Sequence, residues 1–115
     1  MGLRKKMNET VKNELDRIVN TLVETGIVTK IILFGSYASG DETPASDIDL
    51  CVLTPVKDRH PVDIIVDLRV KLIKIRETPL DLLAYNQDDF SARAERKGSF
   101  QRHIMEHGVV LYEHG

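Results

Sequence analysis

Between Ile31 and Leu53 the chain sets a Gly-Ser pair and, ten residues later, two aspartates separated by one residue, all framed by two apolar runs. The first run, Ile31 to Phe34, suits a strand buried on both faces, although periodicity alone also admits a short helix. Gly35 favours a strand that ends in a turn, because a residue without a Cβ lets backbone approach a ligand closely. Ser36 is expected to cap a short helical turn over Tyr37 to Ser39. A strand entering a helix through Gly-Ser aims free N–H groups at one point, where an anion is stabilised. The same residues also serve a turn that binds nothing.

Gly40 to Ser46 reads as an exposed loop. Asp47 to Leu53 then reads as a second strand, in which alternation puts Asp47 and Asp49 on one face with Cα atoms roughly 6.5 Å apart, and Ile48, Leu50 and Val52 on the other. Two aspartates opening an apolar strand run against strand propensity, and like charges held close raise each other's pKa unless a cation neutralises them. A metal ion removes that conflict, so Asp47 and Asp49 are candidate metal ligands. An Asp-x-Asp pair alone arises by chance. Its place after a Gly-Ser turn, where the end of one strand meets the start of the next, gives it meaning.

A chain of 115 residues is expected to form one domain, residues 1–115, with a real core. No apolar run approaches membrane-spanning length, and Met1 to Asn8 lacks the apolar core of a signal peptide, so a cytoplasmic location without membrane attachment is expected. Cys51 is the single cysteine, which excludes an internal disulfide and a cysteine-based zinc cluster. A formal charge of −2 leaves no broad basic footprint and disfavours RNA as a partner.

Val11, Leu15, Ile18 and Leu22 follow helical spacing, with Asn8 as the expected N-cap and Gly26 as the stop. Pro61 suits the first position of a long helix through Arg76, with Ile64, Leu68, Leu72 and Ile75 on one face of a broad buried side. On that helix Asp63 and Asp67 read as a solvated face. Leu80 to Tyr85 has strand length and contains one charge, Asp81, which must be either a metal ligand or paired with an arginine if it is buried. Asn86 to Lys97 reads as a helix, Ser99 to His107 as another, and Val109 to Tyr112 as an edge strand after Gly108. His103 and His107 have the i, i+4 spacing of a helical metal pair but lack an evident third ligand.

Gly35-Ser36, ten residues, then Asp47-Ile48-Asp49-Leu50 resembles the signature of the polymerase β-type nucleotidyltransferases. The chain is similar in length and order to the minimal nucleotidyltransferases among them. The likeness extends from the leading helix to the closing segment, Ile104 to Tyr112. It departs in the turn, where many members carry an arginine and this chain has Tyr37-Ala38-Ser39-Gly40.

The resemblance implies an α/β (α+β) nucleotidyltransferase fold, a small mixed sheet with helices packed on it. It also implies an enzyme that transfers a nucleoside monophosphate, AMP from ATP, to an acceptor hydroxyl. Gly35 and Ser36 would bind the β and γ phosphates of the nucleotide, together with Asp47 and Asp49. Asp47, Asp49 and Asp81 would be the catalytic and metal-binding carboxylates, holding two Mg²⁺ ions. The implied partner is a HEPN-type helical toxin, this chain being the antitoxin of the pair. Two alternatives stay open: a homodimer acting on a small molecule such as an aminoglycoside, and a docking module that binds nucleotide and neutralises its partner without catalysis.

Overall fold

The amphipathic segment after Asn8 is helical from Glu9 to Glu24 (α1), with the Asn8 side chain accepting from the Thr10 amide. Thr25 closes the helix, and Gly26, at φ 79°, turns the chain away. A computed structural model describes residues 8–114, so the basic stretch over residues 1–7 lies outside it. The remaining elements are β1 (Lys30–Phe34), α2 (Ser36–Ser39), β2 (Ile48–Thr54), α3 (Pro61–Leu72), β3 (Leu80–Asn86), α4 (Gln87–Ala94), α5 (Phe100–His107) and β4 (Val109–Glu113).

The four strands form one mixed sheet in the order β3-β2-β1-β4. β1 runs antiparallel to both β2 and β4, whereas β2 and β3 are parallel. This topology gathers the C-terminal end of β1 and the N-terminal ends of β2 and β3 at one end of the sheet. Register makes the gathering specific: Phe34 lies opposite Asp49, and Asp49 lies beside Asp81.

Both faces of the sheet are covered, which is why the central strands read as unbroken apolar runs. On one face α1 and α3 bring Leu15, Ile18, Leu22, Ile64, Leu68 and Leu72 against Ile31, Leu33, Leu50 and Val52. On the other, Phe90 of α4 and Ile104 of α5 pack on Ile32, Cys51 and Leu53. Each such side chain stabilises the fold by roughly 1.5–3 kcal/mol.

Two helices are shorter than their sequence suggests. α3 stops at Leu72, not Arg76, and Ile73 to Ile75 form a turn. The chain must reverse there to enter β3, and Pro79 disfavours helical geometry in the residue before it. Its buried side is also narrow, for Val62, Val66, Val70 and Ile73 are 53–66 % exposed. α4 ends at Ala94, not Lys97, because Gly98, at φ 79°, turns the chain toward α5. Asn86 caps α4 and Ser99 caps α5, as expected.

Candidate active site

The turn after β1 is built on Gly35, at φ 77° and ψ −155°, a conformation that side chains rarely adopt. A second reason for glycine is space, since a Cβ there would fall on the Asp49 carboxylate oxygen Oδ2. Gly35, not Ser36, occupies the N-cap position of α2, and no side chain caps the helix. The sequence suggested Ser36 for that task. Its hydroxyl instead makes no hydrogen bond among the described residues and lies on the first helical residue, beside the strand end.

The rest of the turn divides between core and solvent. Tyr37 is buried, with Ala38 packed against the same core. Ser39 is exposed, and its hydroxyl bonds the Ser36 carbonyl at 3.2 Å and Asp41 at 3.0 Å.

Asp49 and Asp81 are lateral neighbours on parallel strands, close enough for Asp81 to raise the Asp49 carboxyl's affinity for a proton. Asp49 is half-buried, while Asp81 is exposed on the edge strand β3. A desolvated lone charge in a buried strand, as the sequence suggested for Asp81, is therefore not what the fold contains. Water reaches this end of β3, and no ion pair among the described residues joins Asp81 to an arginine. Asp47 is exposed and sits one residue before β2 begins, not within it.

Electrostatics records the crowding. Burial, the neighbouring Asp81 carboxyl and the Asp47 charge together push the Asp49 carboxyl up from 3.8 to about 6. The site thus binds a proton more tightly than water-exposed carboxylates do.

As they stand, no three His, Cys, Asp or Glu side chains among the described residues converge on one metal-sized point. The fold brings Asp49 and Asp81 together and keeps Asp47 within electrostatic reach. These donors are all hard oxygens, and their mutual repulsion is what a divalent cation relieves, so the set fits magnesium.

Other candidates separate from this end. The His103 and His107 rings lie with centroids 4.7 Å apart and planes tilted by 40°, and gain no third ligand among the described residues. Asp67 pairs with Arg59 on the surface of α3. Cys51 lies fully buried in β2, and burial pushes its thiol up to about 12. A cleft of about 630 Å³ between Val56, Arg59, His60 and Asn86 sits at the opposite end of β2 and β3.

Glu14 was hidden within the polar majority of α1, yet it is buried. Its carboxylate accepts from the amides of Glu77 and Thr78 at 2.5 and 2.8 Å and from the Thr78 hydroxyl at 2.7 Å. Those residues lead directly into β3, so Glu14 positions the strand that carries Asp81. The available signal was its spacing, four residues before Ile18 and on the same helical face.

The profile of the nucleotidyltransferase domain matches residues 12–111. A protein of Methanocaldococcus jannaschii, named as a candidate protein adenylyltransferase, is 35% identical over 108 residues, which span 92% of this chain and 100% of that one. The crystal structure of a candidate nucleotidyltransferase from Sulfolobus solfataricus shares the fold, with a TM-score of 0.61 at 16% identity over 88% of this chain and 78% of that one. The Gly-Ser turn facing paired aspartates and the extent of these matches agree, and the chain belongs to the nucleotidyltransferase family in its minimal form.

Proposed function

We propose that the protein transfers AMP from ATP to a hydroxyl group on a protein acceptor. The observation that carries this reading is the Asp49–Asp81 pair set against the Gly35 turn, with Asp47 close by. Gly35 and the Ser36 hydroxyl receive the β and γ phosphates. Asp47, Asp49 and Asp81 would hold magnesium, two ions in this reading, which neutralises the triphosphate and aligns the reacting oxygens. The acceptor oxygen bonds to the α-phosphorus, the bond from that phosphorus to the bridging oxygen breaks, and pyrophosphate leaves. Asp81, the more exposed of the pair, would take the hydroxyl proton. Positioning and charge neutralisation suffice for such a transfer, so this short chain needs few parts.

A protein acceptor is supported by the name of the Methanocaldococcus relative. A helical partner is supported by the exposed apolar row Val62, Val66, Val70 and Ile73, and a HEPN-type toxin, with this chain as its antitoxin, is the partner that the family resemblance implies. The row's spacing of four, four and three residues along one side of α3 suits packing against another helix.

Transfer of label from α-³²P-ATP to proteins co-purified with the chain tests the reading. Metal-dependent label on the partner, lost in Asp47→Asn/Asp49→Asn, is the expected result. A stable complex that takes no label would instead make the chain a docking module.

A further inference from the structure

We propose that Phe100, backed by Phe34, is the platform on which the base of the bound nucleotide stacks. The inference rests on the nucleotide-transfer reading and adds to it the contact that holds the nucleoside end.

Placement carries the argument. Phe34 is the last residue of β1, one position before Gly35, and lies directly opposite Asp49 in the antiparallel register. Directly opposed residues project from the same face of a sheet, with Cβ atoms about 4.5–5.5 Å apart. The Phe34 ring therefore borders the carboxylates. Phe100, the first residue of α5, meets that ring edge to face, with centroids 5.8 Å apart and planes at 83°.

Phe100 is 48 % exposed, while the core on this side of the sheet is already closed by Phe90, Ile104 and Ile32. Burial therefore does not account for it. A perpendicular pair engages the face of one ring and the edge of the other, so it leaves aromatic surface open to solvent beside the triphosphate end. The helix that carries Phe100 also lies close against β1. Where α5 ends, a Cβ on Gly108 would come within 2.5 Å of Ile32 Cγ2, so only glycine lets the helix settle this closely on β1. Every nucleobase offers a π-face, so such a platform holds the base without reading its hydrogen-bond pattern.

The chain contains no tryptophan, which makes Phe100→Trp a single-indole reporter at the site. With the full chain and magnesium, ATP should change the indole emission saturably, while inorganic tripolyphosphate should bind and leave it unchanged. By calorimetry, Phe100→Ala should bind ATP roughly ten-fold more weakly, with tripolyphosphate unaffected, and Phe100→Tyr should restore wild-type affinity. Should Phe100→Ala fold poorly, the indole measurement decides alone. Unchanged ATP affinity in Phe100→Ala, or an indole blind to ATP that calorimetry shows bound, overturns the platform and leaves nucleotide transfer standing. An indole that responds only to an added protein partner overturns it too, by making the ring a docking contact. Wild-type protein that binds neither ATP nor tripolyphosphate removes both readings together.

Discussion

Asp49 is the residue whose environment most opposes its own ionisation. Its folded pKa, about 6, lies above the ordinary 3.8, so the folded chain holds a proton that the unfolded chain has already released. The stability tied to that proton is fully present below about pH 4 and is lost as pH rises through 6. In chelator, Asp49→Asn should therefore match the wild type near pH 4 and exceed it at pH 8 by about 1–2 kcal/mol, after discounting for solvent screening of a half-exposed group. Urea unfolding at the two pH values measures the difference, and a gap that does not widen with pH would mean that the carboxylates do not crowd one another. Gly35 belongs to the same account, since its missing Cβ leaves room for the Asp49 oxygen.

Elements are tied to the site by polar contacts as much as by packing. Glu14 joins α1 to the entry of β3, and burial, which raises its pKa, is outweighed by hydrogen bonds from Thr78 and Glu77 and by the nearby Arg17 charge, so the carboxyl lies below its usual value. Its contribution to stability is present above the unfolded pKa and is lost as pH falls through the folded one. Glu14→Gln should cost roughly 2–4 kcal/mol, because one acceptor oxygen is lost and an amide donor is turned toward backbone N–H groups. Hydrogen exchange at the Glu77 and Thr78 amides, protected in the wild type, should quicken in the variant. α3 makes the opposite case. Its exposed row supports nothing within the described fold, so Val66→Glu and Val70→Lys should each leave the unfolding free energy of the isolated chain within about 0.5 kcal/mol.

At the scale of the whole molecule, Cys51 reports on global opening. Fully buried in β2, its thiol should resist alkylation in the native protein and become labelled at a rate that follows denaturant-induced global unfolding. Labelling much faster than unfolding would reveal a local opening of the sheet. The strands, their order along the chain and the pairing of strand end with strand start were legible because Ile31–Phe34 and Leu50–Leu53 are apolar runs punctuated by glycine and aspartate. Asp49 and Asp81 were legible as candidates for the same reason, charge set in an apolar run. The exposure of Asp81 was not, since burial of a strand depends on its place in the sheet and β3 lies at an edge. Glu14 showed in a linear reading only as a spacing on the apolar face of α1, and Phe100 did not show at all, because what each touches is distant in the chain. The position of β4 has a further consequence during synthesis. β1 is made early and pairs with β2 soon after, yet its other edge, running along Ile31 to Leu33, stays open until β4 has been made. At about 5–20 residues per second that interval lasts on the order of several seconds. An apolar strand edge exposed for so long can template pairing with a neighbouring nascent chain, so the closing strand also ends the period in which this protein is most prone to aggregate.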